Sequence, residues 1–424
     1  MPETKIKTTT VAQNAFLHYI GDQRHKTNYT SLYFTLPLSK ENATRASLLA
    51  RVLRRGSADY PDMSHLNSAL DENYATSLSF STAKQGDRLV FALSLSTMKD
   101  EFAPNGEKIF KTALDIAFSV LKRPLLENSL FKKEYFDTEK INLADAIRAQ
   151  INNKASYSRQ RFISHMCKGE PYAVNAEGDL DTLASVTREE LLAFLDTLLH
   201  SARCDVFFVG SVDFDKLCEL ITSRFGDLDR KGAPLECACQ NKPSKPEPSC
   251  IDEELDVNQC HLWIGFRAPA RFDSDSYLKF ALFNMVLGGD VSSKLFMNLR
   301  EKMSLCYTCY SAFDGSKGLL YAYAGIDKTN YEKAKNAFFE ELEKVREGKI
   351  TPTELQDAKN AFINRMHEIS DNPSLLSAWF FPRLDTPREP YLDACEIEKL
   401  TVDDVVWASK QIELDTIYFL KGER

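Results

Sequence analysis

Three features are missing from this 424-residue sequence, and each absence argues against a class of protein. No run of 18 uncharged apolar residues occurs, which disfavours a membrane-spanning helix. The opening residues, MPETKIKTTT, contain no apolar segment of a secretion signal, so we expect a cytoplasmic protein. Basic residues are not in excess, because 53 Lys and Arg stand against 61 Asp and Glu, a formal charge of −8. This balance argues against binding to nucleic acid or to a membrane surface.

Residues suited to metal binding are also few or badly spaced. The seven histidines, His18, His25, His65, His165, His200, His261 and His367, include no two that are four apart, so the helical H-x-x-x-H zinc pair is missing. Among ten cysteines the close pairs are Cys237-x-Cys239 and Cys306-x-x-Cys309, and neither has a second pair of ligands nearby. The sequence also lacks G-x-S-x-G, Walker A and G-x-G-x-x-G motifs. We therefore predict no metal or cofactor in this chain.

What the sequence does contain is a pattern that occurs twice. Residues 31–36 and 261–266 each predict a strand, followed by an apolar helix that ends at Leu53 in one half and Leu287 in the other. In both halves a glycine turn, a second amphipathic helix and a pair of strands follow. A composition of 43% hydrophobic and 27% charged residues is ordinary for a globular protein.

The ends of the two halves match as well. Thr187 and Thr401 are both plausible N-caps, and each is followed by an acidic pair in the first turn of a predicted helix, where the helix dipole favours negative charge. About twenty residues later each half has an apolar segment, 205–210 and 415–419, that predicts a buried strand.

We therefore predict an α+β protein of two homologous domains, each a mainly antiparallel sheet packed with helices. The domains are residues 1–230 and 251–424, and residues 231–250, with four prolines, predict a linker. A repeat of this kind favours halves that face each other across a pseudo-two-fold axis, with a cavity or interface between them.

Four stretches carry a resemblance to a known family. Residues 288–307, GGDVSSKLFMNLREKMSLCY, are similar to the S-S-[RK]-L-F…L-R-E-K…Y signature of the insulinase/pitrilysin metallopeptidases, which include the mitochondrial processing peptidases. Residues 49–57, 131–148 and 205–213 resemble the zinc helix, the glutamate helix and the V-G-D-V-D strand of that family. The resemblance spans nearly the whole chain in the order of the family, and it implies a fold of the LuxS/processing-peptidase type.

The resemblance also implies that the zinc site is degenerate. The inverted motif H-x-x-E-H of the family aligns with Ser47, Ala50 and Arg51, and the distal glutamate ligand falls at Ala146. Serine is a poor zinc ligand, alanine cannot act as a base, and arginine places a permanent cation where the metal would sit. The supporting glutamate of the family is retained as Glu139. We therefore expect this chain to bind no catalytic zinc.

A second pair of functional residues is retained. Arg300 and Tyr307 match, at the same seven-residue spacing, an Arg and a Tyr with which the family contacts substrate. Within the family, the chain most resembles small bacterial members that lack the zinc motif and accompany a zinc-bearing subunit. The resemblance thus implies a non-catalytic subunit, inactive alone, which adds an Arg/Tyr substrate and oxyanion-binding half-site to a zinc-bearing partner and shares a peptide or protein substrate with it. The isolated chain could also form a homodimer.

Two alternatives remain open at the level of the sequence. The chain could be an autonomous metallopeptidase with substitute ligands, for instance Glu134, Glu139 and His165, although these residues have no helical ligand spacing. It could also be a scaffold or peptide-binding protein with no role in proteolysis. The retained Arg300 and Tyr307 weigh against the scaffold.

Overall fold

A computed structural model describes residues 5–232 and 247–422, and the first of these segments forms one sheet with its helices. Its strands are β1 (Ile6–Ala12), β2 (Ala15–Gly21), β3 (Thr27–Pro37), β4 (Ser77–Gln85), β5 (Arg88–Met98), the short pair β6 (Leu126–Glu127) and β7 (Leu130–Phe131), and β8 (Arg203–Gly210). Its helices are α1 (Lys40–Leu53), α2 (Met63–Glu72), α3 (Ile109–Lys122), α4 (Lys133–Ala149), α5 (Lys154–Met166), α6 (Leu180–Ser185), α7 (Arg188–His200) and α8 (Phe214–Phe225).

The second segment forms another sheet with its own helices. Its strands are β9 (Ser249–Glu254), β10 (Cys260–Arg267), β11 (Cys306–Asp314), β12 (Leu319–Ile326) and β13 (Glu413–Lys421). Its helices are α9 (Tyr277–Asn284), α10 (Tyr331–Arg346), α11 (Pro352–Ser370), α12 (Pro373–Phe380), α13 (Pro390–Ile397) and α14 (Val402–Gln411). Two π-helical segments, Met285–Gly289 and Phe296–Lys302, lie between α9 and β11.

Five strands of the first sheet have the same order as the five strands of the second, and β1 is an additional strand at the edge of the first. The first runs β1-β2-β8-β3-β5-β4, and the second, read in the same direction, runs β9-β13-β10-β12-β11. In each sheet the pair β2–β8 or β9–β13 is parallel, and the other neighbours are antiparallel. The predicted α+β fold of two similar, mainly antiparallel halves is therefore confirmed.

The predicted N-caps at the ends of the halves are also present. The backbone N–H of Glu190 donates to the Thr187 hydroxyl at 3.2 Å, and the N–H of Thr187 donates to the Glu190 carboxylate at 3.0 Å. In the second half the N–H of Thr401 donates to the Asp404 carboxylate at 2.9 Å, which is the same reciprocal box. Both boxes satisfy N–H groups that a helix start leaves without partners, and so they fix where α7 and α14 begin.

Both sheets are covered on both faces, because each half sends one helix onto the sheet of the other. Successive side chains of a strand point to opposite faces, so the buried residues of each strand divide between two cores. In the first sheet Leu32 and Phe34 pack on the helices of their own half, whereas Tyr33 packs in the core that contains α12. In the second sheet Trp263 and Tyr418 pack against α5 from the first half. The two halves thus exchange α5 and α12.

A buried ionic network joins the halves where α5 ends. The Arg267 guanidinium on β10 donates to Glu170 at 2.6 Å and to Asp415 at 3.0 Å. The Lys317 ammonium lies 2.7 Å from both Glu170 and Asp87. All five side chains are buried, so each charge needs its ion pairs and hydrogen bonds to offset the lost hydration.

Two features depart from the helix and strand limits that the sequence predicts. The strand expected from Tyr74 begins instead at Ser77, because Tyr74 and Ala75 have left-handed backbones with φ of 58° and 53°. The helix expected to end at Leu287 becomes π-helical from Met285. Such segments carry one extra residue per turn, which an apolar pattern with an α-helical period does not reveal.

The predicted linker, residues 231–250, lies mostly outside the described residues, as do Cys237 and Cys239. β9 begins at Ser249, and the domain limits 1–230 and 251–424 stay predictions. Across residues 5–232 and 247–422, no helix is both long and apolar enough to cross a bilayer.

Candidate functional site

Helix α1 carries the positions at which the family places its zinc motif. The helix starts at Ser39, whose hydroxyl accepts the N–H of Asn42 at 3.1 Å, and its apolar residues pack on the first sheet. Ser47, Ala50 and Arg51 line a cavity of roughly 580 Å³. The rest of its wall comes from α4 and β4 and from nearby residues, which are Arg54, Met63, Leu78, Ser79, Phe80, Ser81, Thr82, Glu139, Leu143 and Glu177.

The side chains at the aligned zinc positions do not fit a metal. The Ser47 hydroxyl donates to the carbonyl of Ala176 at 3.2 Å, and Ala50 offers only a methyl group. Arg51 is half-buried and makes no hydrogen bond or ion pair with any residue that the structure describes. A guanidinium stays protonated and repels a metal ion, so the side chains of this cavity do not fit a zinc ion.

Helix α4 places the two predicted glutamate positions differently. Glu139 lines the cavity and is buried, and it accepts hydrogen bonds from Arg55 Nε at 2.5 Å and from Asn142 at 3.2 Å. Arg55 comes just after α1, so this ion pair ties the end of α1 to α4. Ala146, two turns further along α4, is half-buried and does not line the cavity. The structure therefore brings Ser47, Ala50, Arg51 and Glu139 together and leaves Ala146 outside.

The alternative ligands Glu134, Glu139 and His165 occupy three different environments. Glu134 is exposed and pairs with Lys132 at 3.1 Å. His165 lies on α5, 2.9 Å from Glu253 of the second half. Within residues 5–232 and 247–422, no three His, Cys, Asp or Glu side chains form a group that could hold a metal ion.

The predicted substrate-binding pair lies in the second half, next to an irregular piece of backbone. Arg300 is in the second π-helical segment, and its guanidinium carbon lies 5.5 Å from the centre of the Tyr307 ring and 4.5 Å from that of Phe296. Tyr307 is at a β-bulge of β11, because Cys306 and Thr308 pair with consecutive residues of β12. This side chain is 77% exposed, and the carboxylate nearest to Arg300 is that of Glu301 at 3.5 Å.

Arg300 and Tyr307 thus form one contiguous, accessible group of donors. Neither residue lines the α1 cavity. The neighbouring Cys306 and Cys309 are buried free thiols, and the Cys309 thiol donates to the carbonyl of Leu295 at 3.5 Å.

Residues 172–176 pack against β4 beside the α1 cavity, and the sequence did not locate this contact. The carbonyls of Tyr172 and Val174 accept from Lys84 Nζ at 2.7 and 3.1 Å, and that of Ala176 accepts from Thr82 at 3.3 Å. Burial lowers the pKa of Lys84 to about 8. This segment lies about ninety residues from β4 along the chain, and no motif signals the contact.

A family match and a similar protein identify the family to which this chain belongs. Residues 185–362 match the family described as "Peptidase M16 inactive domain". The chain is 31% identical over 411 residues, 96% of its own length and 95% of the relative, to a Bacillus subtilis protein named "Probable inactive metalloprotease YmfF". The chain therefore belongs to the M16 peptidase family, as the resemblance to the insulinase/pitrilysin peptidases implies.

Solved structures agree with the fold. A conserved protein from Enterococcus faecalis V583 superposes with a TM-score of 0.90 at 24% identity and covers 99% of both chains. A peptidase M16 inactive domain from Pseudomonas fluorescens superposes with a TM-score of 0.80 at 20% identity, covering 99% of this chain and 98% of its own. The family match and the Bacillus relative both carry descriptions of inactivity, which agrees with the chemistry of the α1 cavity.

Proposed function

We propose that this chain is the non-catalytic subunit of a heterodimeric zinc metallopeptidase of the cytoplasm. It contributes Arg300 and Tyr307 as a half-site for substrate and oxyanion, and a zinc-bearing M16 partner contributes the metal and the general base. The observation that supports this most directly is the contrast between the two halves. The α1 positions have lost every group needed for zinc, whereas the Arg300–Tyr307 pair is assembled and accessible.

The chemistry of the pair suits this role. A guanidinium and a phenol are both hydrogen-bond donors, and they can hold a peptide carbonyl and the oxyanion that forms when water attacks it. In the part of the chain that the structure describes, no buried carboxylate pairs with Arg300 and holds it away from a substrate, and Tyr307 is mostly exposed. Both donors are therefore free to reorient towards a ligand.

The substrate we propose is an extended peptide. β4 and β11 are the outermost strands of their sheets on the corresponding side, and an outermost strand offers unpaired N–H and C=O groups to an added strand. Tyr307 itself lies on β11, so a peptide added to this edge would pass beside the pair.

The test is to purify the chain alone and together with an M16 partner that contains H-x-x-E-H, and to measure bound zinc and peptide hydrolysis in each sample. We expect hydrolysis only in the mixture, with zinc in the partner. One equivalent of zinc and activity in the chain alone would instead establish the autonomous peptidase. No hydrolysis in either sample, with binding of the partner retained, would favour a scaffold.

A further inference from the structure

The α1 cavity has an unbalanced set of charges. Two arginines, Arg51 and Arg54, lie one turn apart on its wall. Of its two carboxylates, Glu139 is committed to Arg55, and Glu177 is exposed and accepts from Gln150 Nε2 at 2.8 Å. Because an exposed carboxylate is screened by water, Glu177 does little to neutralise the arginines.

Both arginines have unused hydrogen-bonding capacity. Arg51 has no acceptor among the residues in the described ranges, and the Nη1 atom of Arg54 is buried there without a partner. Within the described ranges Arg54 makes one hydrogen bond, in which Nη2 donates to the side-chain oxygen of Asn67 at 3.2 Å. Both guanidinium groups can therefore donate to a further acceptor on a bound molecule.

The position of the cavity indicates what kind of molecule carries that acceptor. Five consecutive residues of β4, 78–82, line it. Since successive side chains of a strand point to opposite faces, a cavity over one face would contact only alternate residues. The cavity therefore lies along the free edge of β4, where an extended peptide can add as a strand.

Hydroxyl groups complete the lining around the arginines. Ser47, Ser79, Ser81 and Thr82 are all in the wall. Ser47 and Thr82 already donate to the carbonyl of Ala176, whereas Ser79 and Ser81 can donate to an anion or to a peptide carbonyl. The planar guanidinium binds a carboxylate through two parallel hydrogen bonds, which makes it more selective than a simple positive charge.

We infer that the α1 cavity recognises a carboxylate of a peptide lying along β4, either an Asp or Glu side chain or the C-terminal carboxylate, and that Arg51 is its principal ligand. The position that carries zinc in active relatives of the family here selects acidic peptides. This inference depends on the peptide-binding part of the proposed function and is independent of the zinc-bearing partner.

The experiment measures the binding of three otherwise identical fluorescent peptides to the full chain without a partner. The first has a central Glu and blocked ends, the second has Gln in its place, and the third has Gln with a free C-terminal carboxylate. We expect the first or the third to bind at least about tenfold more tightly than the second, since a hydrogen bond to a charged group is worth roughly tenfold or more. Which of the two binds tightly identifies the source of the carboxylate.

Substitutions assign the effect to the cavity. Arg51→Gln should abolish the tenfold preference, and Arg51→Lys should restore only part of it, because an ammonium cannot bind bidentately. Arg45→Gln is the matched control on the same helix, since Arg45 points to Glu190 at 3.4 Å and does not line the cavity. Because Arg51 has no partner among residues 5–232 and 247–422, Arg51→Gln should melt at the wild-type temperature, which excludes misfolding as the cause.

Three results would overturn the inference: equal affinities for the three peptides, a preference that survives Arg51→Gln, or no binding of any peptide. A chain that shows the preference and yet never supports hydrolysis with a zinc-bearing partner would contradict the proposed function alone. A complex that cleaves neutral and acidic peptides equally well would contradict the inference alone.

Discussion

The two exchanged helices meet their sheets with different chemistry. On the second sheet, Phe162 of α5 stacks on Trp263 with ring centres 5.5 Å apart, and the buried ionic network around Glu170 follows directly. On the first sheet, α12 is held by hydroxyls and rings, with Ser31 and Ser377 2.8 Å apart. The same strand order therefore supports a buried ionic network beside α5 and contacts of hydroxyls and rings beneath α12.

The comparison shows which part of a repeat is constrained. Strand order and direction match across all five shared strands. Order and direction decide which backbone N–H and C=O groups pair, and buried backbone groups must be paired. The side chains that fill the junctions need only satisfy one another, so they differ. The four predictions below use this comparison between the halves, beginning with the largest expected effect.

Replacement of Glu170 by Ala should lower the free energy of unfolding by about 3–5 kcal/mol, because two buried cations lose a shared carboxylate. The corresponding change at α12, Ser377→Ala, should lower it by about 1–2 kcal/mol, since the neutral hydrogen bonds to Ser31 and Tyr33 are lost. Urea denaturation of the two variants measures the difference. Equal losses would show that the ionic network beside α5 contributes no more than the hydroxyl contacts of α12.

Arg300→Ala should reduce kcat/KM of the assembled complex by about 10²–10³, the usual cost of removing one oxyanion donor. Lys302→Ala is the matched control, because Lys302 is an exposed cation of the same π-helical segment. Steady-state kinetics with a neutral peptide gives the comparison, and co-purification checks that the partner still binds. Near-normal turnover of the Arg300 variant would remove the main support for the half-site.

The halves should also differ in their response to acid. His18 in the first half lies 2.9 Å from Asp205, whereas the hydrogen bond of His261 in the second half is to the neutral Tyr323 hydroxyl, at 2.8 Å. Burial lowers the pKa of His261 to about 4. Below pH 6.5 the unfolded chain takes up a proton that the folded chain refuses. Stability should therefore fall by about 3 kcal/mol between pH 6.5 and 4.

The measurement for His261 is the unfolding free energy of the wild type minus that of His261→Gln, which retains a hydrogen-bonding group and cannot be protonated in this range. We expect the difference to change across pH 6.5 to 4 and to be flat above it. A difference that does not vary with pH would show that folding does not change the pKa of His261.

The prediction with the smallest expected effect concerns the helix N-caps, a feature that the two halves share. Thr187→Ala and Thr401→Ala should each lower the unfolding free energy by about 1 kcal/mol, because each removes one capping box. Thermal denaturation of the two single variants gives the comparison. A loss confined to one variant would mean that the two N-caps differ in strength despite their shared pattern.

Local patterns allowed much of the fold to be predicted. The apolar segments 31–36, 261–266 and 205–210 lie within β3, β10 and β8, and the N-caps at Thr187 and Thr401 depend only on neighbouring residues. The exchange of α5 and α12 could not be predicted, because Phe162 and Trp263 are about a hundred residues apart and no local pattern links them.

The candidate sites divide in the same way. Arg300 and Tyr307 are close in sequence and meet in space, so a motif could locate them. The position of Ala146 comes from the alignment with the family motif, and of α4 only Glu139 and Leu143 line the cavity. The β4 edge and the free guanidinium of Arg51 depend on packing between distant elements, and only the structure brings them together.

The exchange of helices has a mechanical consequence. To separate the two sheets, α5 would have to leave Trp263 and Tyr418, and α12 would have to leave Tyr33, at the same time. Each withdrawal would expose buried apolar surface, at roughly 25 cal/mol per Å². We therefore expect the two halves to resist separation. Ligands should then enter along the edges of the sheets, and the distance between the edge strands β4 and β11 should change little when a ligand binds.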